Sequence, residues 1–217
     1  HTRNYQNEAL LAAMMRRMGV LAPRYLFVDV RINDKIVGIM ALEEHFTKEM
    51  VESQKRLEGP IIAADEDWAW QQRFLNYNRT SMAELQVSAE KMNVKWNKFF
   101  PDQSNLAARD FPVRVFQSGE FVPGTIRNQN IIRGTSLLRN LLEGRISSSG
   151  ALDYETTSRW WIVAHLWYAK HGIAMLNRRF YFDPVSNRLE PVSFDNDAEP
   201  LGECHNNYPC LKTDHTL

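Results

Sequence analysis

Cysteine is nearly missing from this 217-residue chain: there are two, Cys204 and Cys210, both close to the last residue. That excludes a multi-disulfide scaffold. Charge of one sign is not in excess either. Lys+Arg and Asp+Glu number 26 each, a balance that argues against broad electrostatic binding to nucleic acid or to an anionic membrane. No apolar run approaches the roughly 18–20 residues that cross a bilayer, so no membrane span is expected. There is no Ser-His-Asp order, no His-Glu-x-x-His motif and no glycine-rich phosphate loop. What is present is an ordinary globular composition, 44% hydrophobic and 24% charged, with length enough for one large domain or two small lobes sharing a cleft. The first residue, His1, is neither an initiator methionine nor the start of a charged-then-apolar leader, so the chain reads as a piece of something longer.

Periodicity supplies the elements. Leu10, Leu11, Met14, Met15 and Met18 recur at helical spacing over residues 7–18, and Gly19 stands where a left-handed cap would end that helix. Leu26, Val28, Val30 and Ile32 alternate with Tyr25, Phe27, Asp29 and Arg31. Asn33-Asp34 supplies the turn and residues 36–42 a return strand, so a β-hairpin is expected. A charged helix is expected over 46–57, ended by Gly59-Pro60. Residues 65–100 read as helical, 101–135 as loops with short elements, 136–144 as a short helix, and 147–150 as a flexible connector. Asp153 suits the N-cap of a Trp-rich helix running to about 172 and apolar enough to be buried. Residues 179–182 and 189–194 read as a second hairpin closed by Asp195-Asn196-Asp197. The order predicts an α+β protein with two lobes.

Asn177 and the acidic triplet are the strongest chemical signal. Amide and carboxylate oxygens are hard ligands, and Mg²⁺ takes one or two carboxylates together with phosphate oxygens and water. A hairpin returns the chain to its start, so it can bring residue 177 beside residues 195–197, as metal-assisted phosphoryl transfer requires. Spacing alone leaves a second reading open, in which Asp195 and Asp197 shape a turn and Asn177 ends a helix.

The run from His171-Gly172 through Asn177-Arg178-Arg179-Phe180-Tyr181-Phe182 to Pro191-Val192-Ser193-Phe194-Asp195-Asn196-Asp197 resembles the CotH-like family. These are atypical protein-kinase-like proteins known from bacterial spore coats. The hairpin over residues 24–44 is similar to that family's small-lobe hairpin. The resemblance covers roughly residues 5–60 and 150–200. It implies a two-lobed, protein-kinase-like fold with a partial N-lobe over residues 1–45 and a C-lobe over 46–217, the latter holding the helix 153–172 and a metal-site hairpin 178–197. It implies ATP with Mg²⁺ or Mn²⁺ as cofactors and transfer of phosphate to a hydroxyl of a protein substrate, such as a coat or surface protein. Asp195, Asp197 and Asn177 would hold the metal. Asp195 would be catalytic, and His171 would stand in as base. Glu8 would pair with a phosphate-binding lysine, and Glu44 would lie near the adenine in the connector between lobes. An extracytoplasmic, cell-surface or spore-coat location would follow.

Two departures from the family pattern bear on mechanism. The lysine belongs on a strand upstream of the first helix, and Lys35 and Lys48 are poor substitutes. The base Asp expected five residues before Asn177 is Gly172 here. A catalytically degenerate relative, a surface or coat binding module, is therefore the alternative, with a metal-dependent hydrolase using Asp195 and Asp197 third.

The remaining features have plainer readings. His165 is expected to be packed within the Trp-rich helix. Cys204 and Cys210 read as a small disulfide loop or two thiols ahead of a zinc site with His205 and His215, because five intervening residues exceed the usual two to four. Arg109-Asp110 reads as a loop ion pair, and Arg127, Arg133 and Arg139 as surface charge. Six tryptophans leave a carbohydrate-stacking surface open.

Overall fold

A computed structural model describes residues 6–68, 70–71, 108–116 and 122–198. Most of the helical region expected over 65–100 lies outside the described residues, as does the tail with Cys204, His205, Cys210 and His215.

Helix α1 spans Gln6–Arg17 and buries Leu11, Ala12 and Met15. It ends as the sequence predicts. Gly19 takes φ +79°, and Val20 N–H donates to the Met15 carbonyl at 2.9 Å, which satisfies an end carbonyl that has no partner within the helix. Strands β1 (Tyr25–Ile32) and β2 (Lys35–Glu43) then form the expected hairpin. Asn33 and Asp34 both have positive φ, 48° and 61°, as a two-residue turn matched to strand twist requires. Val30 pairs with Gly38 and Arg31 with Ile36, so Val37 is the extra residue of a bulge. This hairpin forms a sheet of its own. Leu26, Phe27, Ile36, Ile39 and Leu42 on it are exposed.

The second sheet has four antiparallel strands in the order β4-β3-β5-β6. These are β3 (Ile61–Ala64), β4 (Val113–Phe116), β5 (Arg179–Asp183) and β6 (Arg188–Val192). Alternate residues of a strand face opposite sides, and both faces are covered here. Ile61, Tyr181 and Val192 pack with Phe46, Met50 and Val51 on one face. Ile62, Phe180, Phe182 and Leu189 pack with Leu138 on the other. The covering helices are α2 (Lys48–Ser53) and α3 (Ile126–Leu142), each started by a threonine, Thr47 or Thr125, whose hydroxyl accepts a backbone N–H of the first turn.

The helices differ from expectation in three places. The one expected over 46–57 is limited to α2, capped at Thr47. The one expected over 136–144 begins ten residues earlier, at Ile126. Residues 147–150 are no flexible connector: Ser147 caps a short helix α4 (Ser148–Ala151).

The Trp-rich segment is also corrected. Asp153 is the N-cap, accepting from Thr156 N–H at 2.9 Å, but the helix, α5 (Tyr154–Leu166), stops well short of about 172. Tyr168 adopts φ 48°, and a separate short helix α6 (Lys170–Ile173) follows. Nor is α5 buried all round. Trp160, Val163 and Ala164 pack against Leu11 and Met15 of α1, whereas Trp161, Ile162 and Leu166 are exposed. His165 lies on that exposed face against the Trp161 ring, not packed in the core. The result is a mixed α+β protein with a small β part in two sheets. No helix of the described residues is long and apolar enough to cross a membrane.

Candidate functional site

Three consecutive turns assemble the site. The left-handed Tyr168 breaks the Trp-rich helix, so α6 restarts in a new direction and carries His171. A 3-10 turn, Met175–Asn177, follows and ends on Asn177, which is buried. The β5–β6 hairpin then returns the chain, and Asp195-Asn196-Asp197 closes over the same place. Asp195 and Asp197 both adopt left-handed backbone, φ 48° and 50°. Asp tolerates that region better than most residues. The turn-forming reading of these two residues is therefore met, and it operates alongside the convergence.

The convergence itself is tight. Asn177 Nδ2 donates to the Asp195 carbonyl at 2.9 Å. His171 Nδ1 lies 2.9 Å from that carbonyl and 3.4 Å from Asp195 Oδ2. The hydrogen bond to the Asp195 side chain is the main reason the imidazole pKa rises to about 9. Partial burial opposes it, and the Asp195 carbonyl and the charges of Asp195 and Asp197 add to it. His171 is thus an imidazolium at neutral pH, donating through Nδ1. Its 3.1 Å approach to Asn177 Nδ2 is then two donors sharing one acceptor. The raised pKa favours the protonated imidazole, which weighs against the base role expected for His171.

Asn196, between the two aspartates, is the residue that sequence reasoning left without a role. It is 1% exposed. Its backbone N–H and Nδ2 both donate to Glu8 Oε1, at 2.9 and 2.8 Å, and its Oδ1 accepts from Ser193 Oγ at 3.2 Å. Glu8, 3% exposed, therefore ties α1 to the acidic loop. Gly172 makes room for this. A Cβ there would overlap Asn196 Oδ1 and sit 3.0 Å from Asn196 Cγ and 3.1 Å from the Phe194 carbonyl. The position that the family pattern gives to a base Asp has no space for any side chain.

Glu44 makes its contacts elsewhere. It accepts from Arg24 N–H and Arg24 Nε, each at 3.0 Å, and ion-pairs with Arg24 at the foot of the hairpin. Arg24, Leu26, Leu42, Glu43 and Glu44 line an open hollow there. Arg179, also unassigned by sequence, is buried between the rings of Phe116 and Phe194, with Glu66 at 3.3 Å. Burial lowers its pKa, while the charges of Glu66 and Asp195 act against that. A buried arginine directly after Asn177-Arg178, on a strand that otherwise reads as apolar, was the available signal.

The donor set suits a hard cation in kind. Asp195, Asp197 and Asn177 carry carboxylate and amide oxygens, although it is the Asn177 amide nitrogen that faces Asp195, at its main-chain carbonyl; His171 is 54% and Asp195 21% exposed at the side chain. Among the described residues there is no cluster of three His, Cys, Asp or Glu side chains that would hold a metal unaided. No protein-family model matches the chain, and no curated protein matches it in sequence.

The His171–Asp195 pair predicts a pH signature. The folded-state pKa is raised from 6.5 to about 9, so the pair's contribution to stability is complete below about pH 6.5 and is lost as pH rises through about 9. With His171 half exposed, solvent screening reduces that contribution to about 1 kcal/mol. Wild type should be more stable than His171→Gln at pH 6, and the two should converge by about pH 10. A difference independent of pH would contradict the pairing.

Proposed function

We propose that the chain is an atypical, CotH-like, protein-kinase-like phosphotransferase that binds ATP with Mg²⁺ or Mn²⁺ and transfers the γ-phosphate to a protein hydroxyl. The observation that carries this reading is the meeting of Asn177 and Asp195 across the hairpin, 2.9 Å apart from amide to carbonyl. Glu8 anchoring the same loop from α1, and the hollow beside Glu44 where the resemblance puts adenine, support it further. The divalent ion, when bound, would neutralise charge on the phosphates, held by Asp195, Asp197 and Asn177. The chain's own groups orient and charge the site. Asn177 fixes the Asp195 backbone, Glu8 fixes Asn196, and the His171 imidazolium adds positive charge beside the carboxylates. Phosphoryl transfer passes through a loose transition state in which positioning and electrostatics outweigh proton abstraction, so a protonated His171 does not forbid it.

A second reading, a relative that binds nucleotide without turning it over, is favoured by the same histidine and by the lack of space at Gly172. γ-Labelled ATP with Mg²⁺ or Mn²⁺ and a mixture of coat or surface proteins separates the two. Label transferred by wild type and lost in Asp195→Ala supports the kinase. Metal-dependent nucleotide binding without transfer supports the second reading. Neither binding nor transfer rejects both.

A further inference from the structure

Hairpin β1–β2 has no third strand among the described residues, so each of its strands has an open edge. The two edges are not equal. That of β2 is interrupted by the bulge at Val37 and by Gly38 at φ +114°, and a bulge turns an edge away from further pairing. Strand β1 runs over Tyr25–Ile32 with no extra residue. Glu44 N–H donates to the Arg24 carbonyl at 2.9 Å. Antiparallel alternation then aims the main-chain groups of Leu26, Val28 and Val30 at β2, and those of Phe27, Asp29 and Arg31 at the open edge. The side chains alternate too. Val28, Val30 and Ile32 share one face, and Asp29 and Arg31 share the other. These two are the charged residues of β1, and both are exposed. Their neighbours on β2 are Ile39 and Ile36, so neither meets an opposite charge within the hairpin. Charges on an edge strand usually block pairing. Like charges would do so in every register. A pair of opposite sign, two positions apart, admits one antiparallel register with itself.

We propose that the open edge of β1 is a self-association site, on which a second copy of this chain lays its own β1 antiparallel, Val30 against Val30 on a two-fold axis. The two hairpins then form one continuous sheet, an interface of the same surface on both copies. On either side of the axis Asp29 faces Arg31 of the second copy, and each such pair exchanges both main-chain hydrogen bonds. On the opposite face Val28 meets Ile32 of the second copy, beside the central valines. Opposite charges directly across a strand pair are favourable and like charges unfavourable. A slip of two residues in one direction sets Asp29 against Asp29, and in the other Arg31 against Arg31. A slip of one residue would turn the apolar face of one strand onto the charged face of the other. The charges therefore select both the partner and the register.

Sedimentation equilibrium of the 217-residue chain tests this over about 10–300 µM, a range suited to an interface of modest size. Wild type should dimerise. Asp29→Arg and Arg31→Asp each set like charges against one another on both sides of the axis, and each should weaken dimerisation by about tenfold or more. Mixed in equal amounts, the two variants should form a heterodimer about as tight as the wild-type dimer, because every like pair becomes an opposite pair. The double variant Asp29→Arg/Arg31→Asp should dimerise with itself for the same reason. Recovery on mixing requires contact between chains and shows that both variants are folded. A wild type that stays monomeric would overturn the proposal and leave the edge to a strand of another protein. Single variants that dimerise as tightly as wild type would overturn it in favour of association through the apolar face of Leu26, Val28 and Leu42. A mixture no more dimeric than its components would overturn it as well.

Discussion

Gly172→Ala is expected to destabilise the protein by about 3 kcal/mol, the upper end of the overpacking range. Helical Gly→Ala changes at unstrained positions usually do the reverse. The φ of Gly172 is not positive, so backbone strain is not the cause. The cause is close approach. The added methyl would meet Asn196 Oδ1 and Cγ and the Phe194 carbonyl. Asn196 cannot swing aside without giving up Glu8 and Ser193. At about 2–4 °C per kcal/mol for a chain of this size, the melting temperature should fall by roughly 6–12 °C. Gly172→Asp, which would write the family's base into the sequence, should be worse and should restore no activity. A Gly172→Ala protein as stable as wild type would mean that α6 and the acidic loop are not packed as described.

Glu8→Ala should have a comparable effect, about 3 kcal/mol. It leaves two donors of Asn196, one main-chain and one side-chain, buried without their acceptor, at about 1–3 kcal/mol each and less than additively. Glu8→Gln keeps one carboxamide oxygen in the same place and should cost about 1 kcal/mol. The functional consequence separates this from a purely structural loss. Because Asn196 sits between Asp195 and Asp197, releasing it should also loosen the His171–Asp195 pair. The His171 titration in Glu8→Ala should therefore move down from about 9 toward 6.5, followed by the imidazole carbon-bound proton shifts, while Glu8→Gln should leave it nearly in place. An unmoved titration would confine Glu8 to a structural role.

Some of this was legible before any coordinates. The Asn33-Asp34 hairpin, the Gly19 cap, the Asp153 N-cap and the β5–β6 hairpin all rest on local rules. A turn dipeptide, a cap residue and an alternating run each dictate backbone geometry within a few positions. The convergence of residue 177 with residue 195 was legible for the same reason, since a hairpin must return to its origin. Strands β3 and β4 were not. Ile61-Ile62-Ala63-Ala64 is buried on both faces, so it has no alternation to reveal it, and its partners are some fifty and more than a hundred residues away in sequence. The end of α5 at Leu166 was hidden as well. Trp167-Tyr168-Ala169 continues the apolar pattern, and nothing local in it marks the left-handed Tyr168. The exposure of Trp161 and Ile162 shows that an all-round apolar helix need not be an all-round buried one. Asn196 was overlooked because its role lies in α1, nearly two hundred residues away, and nothing local marks it.

The central claim is that Asp195, with Asn177 and Asp197 around it, engages a nucleotide through a divalent cation. Calorimetric titration of ATP into wild type and Asp195→Ala, with Mg²⁺ and with EDTA, tests it most directly. The account predicts binding to wild type with Mg²⁺ that EDTA removes and that Asp195→Ala lacks while remaining folded. Binding of equal strength in the variant, or no binding to the folded wild type, would contradict it.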